Sequence, residues 1–179
     1  GNPVLSGRCG PVSIPKTCPG EEDGLTEAQT VATRSSGILE AAPEYFHDGL
    51  ADVAALRKAC PLPDTAHELR CVARSLGAPP SSLVLGKDMT EAAVKRMPLD
   101  HYRVVHFATH GLLAGETELF TKTRAEPALL FTPPDNATEE DDGLLTASEI
   151  AGLKLDADWV VMSACNTAGG EKPGAEALS

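Results

Sequence analysis

Two short apolar runs constrain the fold of this chain more than any other feature. The first, RVVHFATHG at residues 103–111, ends in a His-Gly pair, and the second, WVVMSACN at residues 159–166, ends in a Cys-Asn pair. Valine-rich runs of this length are typical of strands that are buried on both faces. The sequence therefore predicts two buried strands that lead directly into His110 and Cys165.

The elements around these runs alternate between helix and strand. Helical spacing of apolar residues covers residues 51–60, 64–76 and 91–97. Further strands are predicted at residues 82–86 and 127–132, and the strand of the second run is predicted at residues 156–163. Asp64 or Thr65 is the expected N-cap of the second helix, and Thr146 with Glu149 forms a capping-box pattern that opens a later one. Such alternation predicts an α/β fold in which helices cover a mostly parallel sheet.

Length and charge narrow the class of protein. The chain has 179 residues, which suits one domain, and its net charge of −11 comes without any Lys/Arg cluster. Nucleic acid and anionic membranes are therefore poor partners, and a basic protein segment is a better match. No apolar stretch approaches the roughly 20 residues that span a bilayer. No signal-peptide pattern opens the chain, so a cytoplasmic location is predicted.

The first part of the chain differs from the rest in composition. Residues 1–50 are rich in Gly, Pro and Ser and predict an irregular segment of the same domain, whereas residues 51–179 form its core. The five cysteines are Cys9, Cys18, Cys60, Cys71 and Cys165. Their odd number leaves at least one thiol free, and their low density argues against a disulfide scaffold. Cys9 and Cys18 either close a small loop or stay reduced.

The two strand ends carry the candidate chemistry. In a parallel sheet, functional side chains collect beyond the carboxyl ends of the strands, and neighbouring strands lie about 5 Å apart. His110 and Cys165 would then be close enough to act as a base and a thiol nucleophile. The backbone N–H groups of Gly111 and Cys165 are candidate oxyanion donors, and Asn166 is a candidate supporting residue.

These residue types also allow other interpretations. Cys165 could be a buried structural cysteine, and His106, inside its strand, is expected to be a packed, hydrogen-bonded histidine. Because His106 and His110 are about 13 Å apart along an extended strand, they cannot both bind one metal ion with Cys165. Ser163 lacks the G-x-S-x-G turn of a serine nucleophile. Neither a metal nor an organic cofactor is predicted.

Four separated motifs resemble one known family. VVHFATHG, EPALLF, DDGLLTASEI and WVVMSACNTAGG followed by GAEALS are similar to the CHAT domain, a caspase-like module of the clan CD cysteine peptidases. The resemblance implies a caspase-like sheet flanked by helices, with a Cys-His dyad at Cys165 and His110. It also implies oxyanion donors at Gly111 and Cys165, and a protein or peptide substrate.

The resemblance carries further expectations. CHAT modules are mainly bacterial and cytoplasmic, act without a cofactor, and are often coupled to tetratricopeptide repeats or other sensor regions. Relative to the family, the chain is expected to lack a strand before residue 1 and the pocket-forming segments after residue 179. Two functions follow: a regulated cysteine endopeptidase, or a caspase-like interaction module without catalytic activity.

Overall fold

A computed structural model describes residues 1–9, 14–19, 46–47, 50–112 and 126–164 of the chain. The α-helices are α1 (Val53–Leu56), α2 (Pro63–Ser75), α3 (Glu91–Arg96) and α4 (Ala147–Ala151). The strands are β1 (Phe46–His47), β2 (Leu50–Ala51), β3 (Val104–Ala108), β4 (Gly111–Leu112), β5 (Ala128–Leu130), β6 (Leu144–Thr146) and β7 (Trp159–Ser163). Short 3₁₀ turns cover Pro80–Ser82, Gly86–Asp88 and Leu99–His101.

The strands form one parallel pair and two small antiparallel sheets. β3 and β7 are parallel, β5 pairs antiparallel with both β4 and β6, and β1 pairs antiparallel with β2. The α/β class is confirmed, but a mostly parallel sheet is not found among the described strands. Parallel neighbours need a long crossover connection. The link between β5 and β6 contains no helix, and these strands pair antiparallel.

Helix α2 begins two residues earlier than an N-cap at Asp64 predicts. Its N-cap is Leu62, which makes no side-chain capping bond, and Pro63 occupies the first turn instead of Asp64 or Thr65 acting as the cap. Proline suits this position because its fixed φ is already helical and its missing N–H would have had no partner. The predicted end is confirmed, since Gly77 adopts a φ of +67° and closes the helix.

The predicted strand at residues 82–86 is extended but does not join a sheet among the described residues. Leu83 and Leu85 have extended backbone angles, and a 3₁₀ turn lies on either side. Backbone bonds from this segment go to Gly1, whose amino group donates to the Val84 carbonyl at 2.9 Å and whose carbonyl accepts from Gly86 at 3.3 Å. Extended residues become a strand only where a neighbouring backbone supplies a ladder.

Two apolar clusters pack on opposite faces of the antiparallel sheet. Leu129, Phe131 and Leu145 belong to the cluster that includes Phe107 of β3. Ala128, Leu130 and Leu144 belong to the second cluster, which includes Leu56 of α1. The alternation follows the two-residue period of a strand, and burial on both faces explains why β5 is wholly apolar. This sheet holds the segment that follows β3.

A buried ionic network ties α3 to the acidic loop before β6. The Glu91 side chain is only 1% exposed, and its Oε2 accepts the N–H groups of Asp142 and Gly143 at 2.8 and 3.0 Å. Lys95 Nζ donates to Glu91 Oε1 at 2.5 Å and to Glu149 Oε1 at 2.7 Å. Removal from water is the largest effect on Glu91, and it raises the pKa of this carboxyl to about 7.

This raised pKa predicts a pH dependence of stability. Because the folded pKa of about 7 lies above the ordinary value of 4.5, the contribution of Glu91 is fully present below pH 4.5 and is lost as the pH rises through 7. The loss is on the order of 3 kcal/mol at most. Urea unfolding from pH 5 to 8 should show a smaller decline in Glu91→Gln than in the wild type. Parallel declines in the two proteins would contradict the assignment to Glu91.

Candidate active site

His110 lies two residues beyond β3 and is held from one side by a backbone carbonyl. The side chain is 5% exposed, and its Nε2 is 2.7 Å from the carbonyl oxygen of Cys60. A carbonyl oxygen can only accept, so Nε2 carries the proton in this hydrogen bond. In neutral imidazole the other nitrogen, Nδ1, is then the acceptor. The ring is therefore oriented with a defined nitrogen for each role.

The Cys60 carbonyl belongs to the link between α1 and α2. α1 ends at Leu56, and the Pro63 that starts α2 follows six residues after Arg57, the C-cap of α1. The residue after Cys60 is Pro61, and a residue that precedes proline is restricted to extended backbone angles. Cys60 is also bonded to Cys9 by a disulfide with a Cα–Cα distance of 5.8 Å. Nothing in the local sequence of residues 103–111 pointed to this partner of His110.

Gly111 begins β4, and its register determines where its N–H points. Gly111 lies opposite Leu129, and the Leu130 N–H donates to the His110 carbonyl at 2.9 Å. This bond makes His110 and Leu130 a hydrogen-bonded pair of the antiparallel ladder. The next pair, Gly111 and Leu129, is then a non-hydrogen-bonded pair, whose N–H groups are directed away from the partner strand. The Gly111 N–H thus faces away from β5, on the side where no strand pairs with β4 among the described residues.

The parallel pairing of β3 with β7 extends to the residue before His110. Ala108 lies opposite Ser163, and the Thr109 N–H donates to the Ser163 carbonyl at 3.1 Å. Every pair in this register is offset by 55 residues, as in Val104 opposite Trp159. His110 and Cys165 have the same separation in the sequence, 165 − 110 = 55. Cys165, its N–H and Asn166 lie outside the described residues.

The other four cysteines are used in two disulfides. Cys9 pairs with Cys60, and Cys18 pairs with Cys71. The expected alternatives for Cys9 and Cys18, a small loop between them or two reduced thiols, are therefore wrong. Each disulfide instead joins the irregular N-terminal segment to the core, over a separation of 51 or 53 residues. The spacing of the cysteines along the chain does not reveal these pairs. Cys165 is the one cysteine of the chain outside these two disulfides.

One group of side chains has the donor atoms of a metal site. The ligand atoms of Cys18, His67 and Cys71 lie within 4.8 Å of one another, with His67 and Cys71 one turn apart on α2. His67 Nε2 is 3.4 Å from Cys71 Sγ. However, Cys18 and Cys71 are joined to each other, and zinc binds thiolates. This group could bind a metal only after reduction.

His106 occupies a different environment from His110. Its side chain is 11% exposed, and its Nε2 is 3.4 Å from Glu68 Oε1 on α2, without the geometry of a hydrogen bond. It also lines an apolar cavity of about 620 Å³ between α2 and β3, which does not reach His110. The prediction that His106 is packed inside its strand is confirmed. The predicted hydrogen bond of its side chain is not found, since Nε2 has no hydrogen-bond partner among the described residues.

A comparison with the sequence models of known protein families identifies the family of the chain. The sequence model of the CHAT domain matches residues 24–179. The chain belongs to the CHAT domain family. CHAT domains are related to the clan CD cysteine peptidases, so the family places the chain among caspase-like, peptidase-related modules. Comparisons with curated proteins and with solved structures found no similar chain.

The described part of this CHAT domain contains no helix that could span a membrane. None of its described helices combines the length and the apolar character that crossing a bilayer requires.

Proposed function

We propose that this CHAT domain is a cysteine endopeptidase module that cleaves protein substrates through a Cys165-His110 dyad. The observation that carries the proposal is the register of β3 and β7. Its last pair lies two residues before His110, and its offset equals the separation of His110 and Cys165. If β7 continues in register for two residues, the two side chains follow neighbouring strand ends about 5 Å apart. The family relationship supports the same pairing of residues.

The proposed reaction follows from the orientation of the His110 ring. Because Nε2 donates to the Cys60 carbonyl, Nδ1 is the nitrogen that exchanges a proton with the reacting groups. His110 Nδ1 takes the proton of the Cys165 thiol, and the resulting thiolate attacks the scissile carbonyl carbon and forms a C–S bond. His110 then protonates the leaving amine as the C–N bond breaks. Water attacks the resulting thioester, and the acid product leaves with the thiol restored.

The oxyanion of the tetrahedral intermediate needs donors that are already in place. The Gly111 N–H is directed away from β5, and glycine leaves the approach to this N–H open. The N–H of Cys165 is the proposed second donor, and Asn166 is proposed to support the loop that contains it. Donors fixed by the sheet do not need to reorganise as charge develops, which is why such sites lower the barrier.

The proposed substrate is a protein or peptide segment, and the negative charge of the chain favours basic segments. Regulation is proposed to come from partner or sensor regions outside residues 1–179, including tetratricopeptide repeats. A cytoplasmic location remains a prediction from sequence. The two disulfides of the described residues weigh against it, because disulfides persist mainly in oxidising compartments.

Covalent labelling tests the proposed nucleophile. Incubation of the protein with a peptidyl acyloxymethyl ketone, followed by peptide mass spectrometry, should place the adduct on Cys165. The His110→Ala variant should label at least about tenfold more slowly, since the thiolate loses its neighbouring base. Adducts on Cys9 or Cys60 with Cys165 untouched would overturn the proposal. A labelled Cys165 without cleavage of any substrate would instead favour an interaction module.

A further inference from the structure

Cys60 takes part in two contacts, one through its main chain and one through its side chain. Its carbonyl oxygen accepts the hydrogen bond from His110 Nε2 at 2.7 Å. Its sulfur is bonded to Cys9, 51 residues earlier in the chain. The same residue therefore orients the candidate catalytic histidine and carries a bond that can be opened by reduction.

The residues before Cys9 lie along the segment that leads into Cys60. The Ser6 N–H donates to the Arg57 carbonyl at 2.7 Å, and the Gly7 N–H donates to the Ala59 carbonyl at 3.0 Å. Gly7 approaches this backbone so closely that a Cβ would collide with the carbonyl oxygens of Lys58 and Ala59. Residues 6–9, here called the strap, thus hold residues 57–60 by two backbone hydrogen bonds and a disulfide.

Outside the strap, the segment of residues 57–60 is held by the Arg57 side chain, which donates to the carbonyls of Pro133 and Pro134, and by the buried Ala59. α1 is only four residues long, so residues 57–60 are not part of a long helix or a sheet. A short helix gains little stability from its own hydrogen bonds and depends on packing around it. The strap is consequently a substantial part of what fixes the Cys60 carbonyl opposite His110.

The two disulfides differ in their access to solvent. Cys9 is exposed and Cys60 is half-buried. Cys18 and Cys71 are only 8% and 6% exposed. Thiol–disulfide exchange requires a thiolate to reach one of the sulfurs in line, so exposed disulfides are the ones that exchange readily. Reductants will open the Cys9–Cys60 disulfide before the Cys18–Cys71 disulfide.

We propose that the Cys9–Cys60 disulfide is a redox-sensitive brace that keeps the Cys60 carbonyl in position to orient His110, with the dithiol form less active. This inference rests on the proposed peptidase function and adds its regulation. Cys60 acts here as a positioning residue, through its main chain. Cys18–Cys71 holds the chain to α2 without any contact to His110 that the structure describes.

The opening step uses a dithiol, either a small molecule or a protein. One thiolate attacks the exposed Cys9 Sγ, forms a mixed disulfide and releases the Cys60 thiolate, which takes up a proton. The second thiol of the reductant then closes its own disulfide and releases Cys9 as a thiolate, which is also protonated. Two electrons and two protons pass from the reductant to the cysteine pair, and an oxidant reverses the step.

Two matched double variants test the brace. Cys9→Ser with Cys60→Ser removes the exposed disulfide, and Cys18→Ser with Cys71→Ser removes the buried one over a similar separation. In both proteins Cys165 is the one cysteine outside a disulfide. The rate of alkylation of Cys165 by iodoacetamide is measured from pH 5 to 9, and the ring nitrogens of His110 are observed by nitrogen-15 NMR.

The expected result separates the two variants. Loss of Cys9–Cys60 should slow alkylation of Cys165 near pH 6 by about tenfold, because small displacements of a catalytic group have large effects on rate. It should also shift the pH profile upward and abolish the preference for the Nε2–H tautomer of His110. Loss of Cys18–Cys71 should change the rate by less than about twofold, since its contacts lie away from His110. Equal effects in both variants would overturn the proposal.

A second measurement covers the case in which a double variant does not fold. The wild type is treated with graded dithiothreitol, and mass spectrometry identifies the molecules in which only Cys9–Cys60 is open. Slow alkylation of Cys165 that recovers on reoxidation supports the brace, and an unchanged rate and an unchanged His110 tautomer overturn it. Unreactive Cys165 in the oxidised wild type would instead refute the peptidase function. In that case the NMR signals of His110 still decide whether the disulfide controls the ring.

Discussion

Replacement of His110 by asparagine is expected to lower kcat/KM for peptide cleavage by about a thousandfold or more, while the protein stays folded. Asparagine cannot take up or deliver a proton, so the thiol of Cys165 loses its base and the leaving amine loses its acid. Asparagine keeps a planar polar group of smaller size at this position, which limits the structural disturbance around a residue that is 5% exposed. Cleavage of a fluorogenic peptide library measures the effect.

His106→Asn is the matched control for this variant. Both histidines belong to the same apolar run, but His106 faces Glu68 and the apolar cavity. Its replacement is expected to change kcat/KM by no more than severalfold, because its side chain has no contact with His110 that the structure describes. A loss as large in His106→Asn as in His110→Asn would assign the effect to folding of β3. Full activity in His110→Asn would remove this histidine from the mechanism.

The second large effect is expected on the free energy of unfolding, from a substitution in the core. Phe131 is fully buried, and its ring meets that of Phe107 edge to face with centroids 6.3 Å apart. Phe131→Ala should lower the free energy of unfolding by about 3–5 kcal/mol, since it removes a buried ring and leaves a cavity. Phe131→Leu should cost about half of this, because most of the volume is kept. Urea denaturation followed by circular dichroism measures both values.

Trp159→Ala provides the comparison for an exposed aromatic residue. Trp159 is 69% exposed on β7, so its truncation should cost less than about 1 kcal/mol. If Phe131→Ala costs no more than Trp159→Ala, then the cluster that joins β3 to the antiparallel sheet does not stabilise the fold as described. Phe131 follows β5, which pairs with β4 and thereby holds Gly111 in place. Partial unfolding around Phe131 should therefore also lower the reactivity of Cys165.

Elements with a strong local signal were predicted closely. The apolar runs correspond to β3 and β7, and the capping box of Thr146 and Glu149 opens α4. The deciding interactions of the capping box are between residues near each other in the sequence. The prediction that both apolar runs are buried holds for much of β3 but is wrong for β7, where Trp159, Val160 and Val161 are 69%, 41% and 40% exposed. The extended segment at residues 82–86 was predicted as a strand, but a ladder depends on a partner backbone that local sequence does not describe.

In the candidate site, too, the sequence predicted the residues but not their contacts. His110 and Gly111 were selected from the way an apolar run ends, and Cys165 from a second run with the same pattern. Whether His110 and Cys165 lie near each other depends on how the two strands pair, because the offset of 55 residues between β3 and β7 is a property of the sheet. The Cys60 carbonyl had no signal at all in the sequence, since every residue has a carbonyl and only the fold places one of them 2.7 Å from His110.

The sequence by itself determined the α/β class, the family and the residues that carry the proposed chemistry, because side-chain type and apolar periodicity are local properties. Tertiary structure decided which strands are antiparallel, which cysteines pair and which backbone oxygen orients His110. The antiparallel pairing of β4, β5 and β6, the two disulfides and the His110 bond depend on contacts between residues 14 to 53 positions apart, whose geometry is settled only when the whole core packs.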